Sequence, residues 1–171
     1  MFVAMQQLAS QGRAPVPLPR CTGACDNRLL SGRFVANVSR SENVLGIPLW
    51  VRFVMEHYFN GTNGTANIAM YPTQSPFNEL QPFYCADVPF TLGLDCNVTL
   101  SDACTESAFR ASKVRDLSYL WDGEDRLTVS QVMDPNPLFR QQLIWEEQRV
   151  APDQNFSGVE EEDELSSVMY D

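Results

Sequence analysis

Residues 48–72 alternate so regularly that few folds can accommodate them. Leu49, Val51, Phe53, Met55, His57 and Phe59 occupy one phase, and Trp50, Arg52, Val54, Glu56 and Tyr58 the other. Alternation rich in β-branched and aromatic residues is the pattern of a strand with one buried face. The run then meets Asn60-Gly61-Thr62-Asn63-Gly64-Thr65. Asn-Gly steps tolerate the positive φ that a hairpin turn demands. Beyond the turn, Ala66, Ile68 and Met70 alternate with Asn67, Ala69 and Tyr71, which predicts a return strand and one long hairpin.

The flanking sequence supplies more strands. Within residues 29–40, Phe34, Ala36 and Val38 share one phase and Val35, Asn37 and Ser39 the other. Short strands are expected around Phe83-Tyr84-Cys85 and Val98-Thr99-Leu100. Residues 102–113 have a helical composition, with Ser101 or Asp102 as N-cap. Leu117, Tyr119 and Trp121 alternate again, and the turn Asp122-Gly123-Glu124-Asp125 leads to Leu127, Val129 and Gln131, a second hairpin. Residues 138–150 fit two patterns. As a strand, Phe139, Leu143 and Trp145 share a face; as a helix, Phe139, Leu143 and Val150 do, and Gln141, Gln142, Glu146, Glu147 and Gln148 favour helix by propensity. A strand is preferred because it extends the meander by a third hairpin.

These elements predict one mostly-β domain over residues 21–150. Residues 1–20 read as a signal remnant or a flexible Pro-rich arm, with Ser10-Gln11-Gly12 in the small-x-small form of a cleavage site. Residues 151–171 read as an acidic disordered tail. An antiparallel meander of this size closes into an up-and-down barrel or folds into a β-sandwich, with at most one or two short helices.

Charge and cysteine usage bound the setting. The net charge of −10 excludes an electrostatic hold on nucleic acid. Glu160, Glu161, Glu162, Asp163 and Glu164 form a run that reads as a solvated tail, with a basic partner as its alternative use. Sequons stand at Asn37, Asn60, Asn63, Asn97 and Asn155, where chance predicts roughly one under the N-x-S/T rule. Five cysteines, Cys21, Cys25, Cys85, Cys96 and Cys104, point the same way, to oxidising conditions. The expected setting is therefore secreted, cell-surface or secretory-lumenal, with N-glycans. No apolar run is long enough to be a membrane-spanning helix. Two disulfides and a leftover thiol are expected, with Cys96–Cys104 the leading pair and Cys85 to Cys21 or Cys25 an option, though spacing does not fix the connectivity. A zinc set built from Cys21, Cys25, Cys96 and Cys104 suits that compartment poorly.

Catalytic chemistry has little to work with. His57 is the single histidine, so a two-His zinc site is excluded, and no Gly-x-Ser-x-Gly elbow accompanies it. Its place in the alternating run reads as scaffold. Asp122, Glu124 and Asp125 are ordinary turn formers and lack a calcium-loop layout. No phosphate-binding glycine loop or dinucleotide fingerprint occurs. No catalytic residue, metal ligand or cofactor is expected.

Leu29-Leu30-Ser31-Gly32-Arg33-Phe34, following a cysteine, resembles the Gly-x-Trp first-strand signature of lipocalin-like barrels over three residues, with Phe34 in the Trp position. It is the sequential hairpins that favour the up-and-down barrel, a lipocalin-like calycin architecture, over the sandwich. Trp50, Trp121, Trp145 and the many Phe and Tyr either pack its core or line a pocket for a small apolar ligand. The expected role is binding, to a protein partner or to such a ligand. The alternative is a non-enzymatic structural subunit of an extracellular or surface assembly.

Overall fold

The structure, a computed structural model, describes residues 6–10, 25, 28–44, 47–75, 81–101, 103–111, 114–136 and 139–152 of the 171-residue chain. Its elements are β1 (Gln6–Ser10), β2 (Gly32–Val44), β3 (Ile47–Asn60), β4 (Thr65–Gln74), β5 (Phe83–Leu92), β6 (Asn97–Leu100), α1 (Ala103–Ala111), β7 (Val114–Trp121), β8 (Arg126–Asn136) and β9 (Phe139–Val150). Neighbours from β2 to β9 pair antiparallel in chain order, and β9 returns to β2 through Arg33↔Val150, Phe34↔Arg149 and Val35↔Gln148. The eight strands β2–β9 thus close into an up-and-down barrel, not a sandwich. Closure removes the exposed strand edges that an open meander would carry. The remaining strand, β1, falls in the stretch read as an N-terminal arm. It pairs with β9 from Gln6↔Ile144 to Ser10↔Arg140, so one edge of β9 is divided between β1 and β2.

Hydrophobic phase decides which way each strand faces. Val51, Phe53, Met55 and Phe59 of β3 are buried in one core with Phe34, Ala36 and Val38 of β2. Ile68 and Met70, Tyr119 and Trp121, Leu127 and Val129, and Leu143 and Trp145 complete it from the other strands. Aromatic rings meet edge to face, Phe34 on Phe59 at 5.9 Å and Phe53 on Trp145 at 6.3 Å between centroids, the arrangement that the ring quadrupoles favour. Residues 139–150 are a strand, because pairing with β8 from Arg126↔Gln148 to Asn136↔Phe139 outweighs the helical propensity of their Gln and Glu.

The β3–β4 hairpin turns through four residues, Gly61–Gly64, with Gly64 at φ +67° and its N–H donating to the Asn60 carbonyl at 2.9 Å. Gly61 lies so close to the preceding segment that a Cβ there would stand 2.7 Å from the Leu30 carbonyl oxygen. Its N–H donates to Ser31 Oγ at 2.9 Å, fixing the turn against the chain that leads into β2.

Two disulfides form, and their pairing corrects the expectation. Cys25 bonds Cys96, and Cys85 bonds Cys104. Cys96 and Cys104 lie on opposite ends of β6. Four extended residues carry the chain about 13 Å, well beyond the ~7 Å Cα separation that a disulfide can bridge. Cys21 lies outside the described residues.

Arg149 links β2 and β9 to the turn between β7 and β8. Its guanidinium carbon sits 5.1 Å from the centre of the Phe34 ring, its Nε pairs with Asp125 at 3.1 Å, and it donates to the Glu124 carbonyl at 2.7 Å. Arg28 donates to the Gly123 carbonyl at 2.6 Å on the same turn.

Candidate functional site: a polar centre inside the barrel

Two strand phases bring an acid and an imidazole together inside an otherwise apolar interior. On β3 the inward series runs Val51, Phe53, Met55, His57, Phe59; on β9 it runs Leu143, Trp145, Glu147. β2 separates the two strands in the sheet, yet His57 Nδ1 lies 2.8 Å from Glu147 Oε2 with both side chains fully buried. The second carboxylate oxygen accepts from Trp145 Nε1 at 3.1 Å. Facing a carboxylate that only accepts, Nδ1 carries the imidazole proton and donates it.

That leaves the other ring nitrogen. His57 Nε2 is buried without a hydrogen-bond partner, and so is the hydroxyl of Tyr119. The two rings are in contact: Tyr119 meets His57 edge-on at 5.2 Å, while Phe59 stacks on the imidazole at 5.9 Å and 9°. Burial, and then the nearby Glu147 carboxylate, push the Tyr119 phenol well above its ordinary pKa. It is therefore a neutral hydroxyl across the ordinary pH range. A buried polar group left unpaired costs about 1–3 kcal/mol, so two of them on touching rings mark a place where the fold is not optimised for its own stability.

Beside Tyr119 the barrel ladder is short. β6 is four residues long and pairs with β7 at only two positions, Asn97↔Leu120 and Val98↔Tyr119. Past Val98 the strands separate, and α1 crosses the gap as it links one to the other. A cavity of about 420 Å3 lies there, lined by Thr99 and Leu100 of β6, Leu117, Ser118 and Tyr119 of β7, and Thr105 of α1, among others. The Cys85–Cys104 bond ties the first turn of α1 to β5. The cavity wall thus includes Tyr119, while the Tyr119 hydroxyl and His57 are buried behind it and out of reach of water.

The other residues singled out in the sequence are scattered. Asn37 lies half-buried on the outward phase of β2, opposite Val54. Asn63 is exposed in the hairpin turn, and Asn60 uses its side-chain oxygen to accept from the Asn63 N–H at 3.3 Å. Asn97 is half-buried, and its side-chain amide donates to the Asp95 carboxylate. Asn155 and the acidic run 160–164 lie outside the described residues. Asp122 accepts from the N–H groups of Glu124 and Arg126 at 2.8 and 3.1 Å, which is the work of a turn former.

Sequence reasoning placed His57 inward but missed Glu147. The signal was present: once Leu143 and Trp145 fix the inward phase of β9, Glu147 falls on it, and a carboxylate on a core phase needs a partner. No family model, curated protein or solved structure matches the chain.

Proposed function

We propose that the chain is a secreted or secretory-lumenal, N-glycosylated protein that binds a small, largely apolar ligand in the cavity between β6, β7 and α1. The observation that carries this reading is the cavity of about 420 Å3 between β6, β7 and α1, whose wall sets Leu100, Leu117 and Tyr119 beside Thr99, Thr105 and Ser118. Binding sites for small molecules combine an apolar lining with a few convergent polar groups. The compartment is supported by two disulfides and by five sequons in the sequence.

The test uses an apolar dye, N-phenyl-1-naphthylamine, whose emission rises in an apolar pocket. Saturable one-to-one enhancement is expected in the native protein, with loss of at least tenfold in affinity in Thr99→Trp. Thr99 is exposed on the cavity wall, so its replacement fills the opening without disturbing the core. Absence of saturable binding, or binding that Thr99→Trp leaves unchanged, contradicts the proposal.

A further inference from the structure

We propose that the chain pairs with a second copy of itself through the open edge of β2, strand to strand and antiparallel, about a two-fold axis at Ser41. This dimer is independent of the cavity and of any ligand in it.

The edge comes from the topology. β2 pairs along its whole length with β3, from Gly32↔Phe59 to Val44↔Ile47. On its other side it meets β9 only at Arg33, Phe34 and Val35. Farther along, β9 pairs with β1 instead, from Gln6↔Ile144 to Ser10↔Arg140. Residues 36–44 of β2 therefore have no strand on that second side among the described residues. β3 in turn pairs with β4 only from Arg52 onward. Residues 40–44 and 47–51 thus form a ribbon of two strands alone, about 16 Å long. Such a ribbon is marginal by itself in water.

Proteins guard open edges with lysine, proline, a bulge or charges that repel a second strand. Residues 36–44, Ala-Asn-Val-Ser-Arg-Ser-Glu-Asn-Val, contain neither lysine nor proline. Their ladder with β3 runs without a register shift. Two charges are present, Arg40 and Glu42, but they are of opposite sign and flank Ser41.

That arrangement is self-complementary. In an antiparallel copy centred on Ser41, Arg40 stands opposite the partner's Glu42, and Glu42 opposite the partner's Arg40. Ser39 meets the partner's Asn43, and Val38 meets the partner's Val44. Each position in residues 38–44 is matched: opposite charges, polar with polar, apolar with apolar. Opposite charges directly across a ladder stabilise it, and like charges destabilise it. Centring the pair on Arg40 or on Glu42 sets like charges face to face, so the charges also fix the register. Main-chain hydrogen bonds across the added strand supply affinity, and the two-fold axis closes the assembly at two copies.

Sedimentation velocity of the whole chain at neutral pH tests this. Every sample carries Cys21→Ser, so that the cysteine outside the two disulfides cannot link copies. A dimer is expected. Arg40→Glu and Glu42→Arg each set like charges across the axis, and each should raise the dimer dissociation constant at least tenfold. The double variant, Arg40→Glu with Glu42→Arg, restores opposite pairs and should return it to within threefold of the parent. Ser41 stands opposite the partner's Ser41 at a Cα separation of about 5 Å, inside disulfide range. Ser41→Cys should therefore give a disulfide-linked dimer on mild oxidation. Asn43→Cys, about 14 Å from its own counterpart, should not. A monomer at every concentration up to the solubility limit overturns the inference. So does a dimer that the single swaps leave intact or the double swap fails to restore, because that contact lies elsewhere. Cross-linking through Asn43→Cys in place of Ser41→Cys overturns it as well.

Discussion

Tyr119 shows how one buried hydroxyl links the site to stability. Its phenol is held well above the ordinary value near 10 by burial and by Glu147. The unfolded chain therefore ionises this group first as pH rises. The sign follows: stability is unaffected by Tyr119 below pH ~10 and is lost as pH climbs from there towards the raised folded value. Urea midpoints measured from pH 8 to 11.5 should fall less steeply above pH 10 in Tyr119→Phe than in the parent. Identical slopes would show that Tyr119 is not the buried, neutral group described. His57 was legible in the sequence as inward-facing because a period of two fixes the face of every residue in a strand. Its partner was not, because Glu147 lies 90 residues away and the intervening strands decide which inward residues meet. The unpaired state of Nε2 and of Oη belongs to that same three-dimensional layer.

The elements were the most readable part of the chain, and their connections the least. The expected helix at 102–113 is α1 (Ala103–Ala111), and the long hairpin is β3 and β4 with its turn at the Asn-Gly steps. Disulfide pairing was not recoverable from spacing, since the short Cys96–Cys104 loop favoured by the sequence is the one that β6 holds apart. The two bonds do different work. Cys25–Cys96 spans 71 residues and ties the segment before β2 to the turn before β6, while Cys85–Cys104 spans 19 and holds α1 on β5. In the chain-entropy model the longer loop contributes about 4 kcal/mol and the shorter about 3. Pairwise Cys→Ala replacement should follow that order in urea unfolding. The Cys85/Cys104 variant should also accelerate dye association, because α1 crosses the opening between β6 and β7. A slower or unchanged association rate would show that α1 does not control entry.

At the scale of the whole molecule, closure is the step that the sequence left open between barrel and sandwich. It depends on Arg33↔Val150, Phe34↔Arg149 and Val35↔Gln148, pairings between the first and last barrel strands that no local pattern encodes. Arg149 reinforces the seam by lying over Phe34 and binding the turn between β7 and β8. Closure carries β9 round to within reach of β3, which is what places Glu147 against His57. On another side of the barrel β6 and β7 pair at only two positions, beside the cavity. A crystal structure of the full chain soaked with N-phenyl-1-naphthylamine tests this account most directly. It predicts the dye between β6, β7 and α1, against Leu100, Leu117 and Thr99. A closed barrel with the dye absent or bound elsewhere would contradict it.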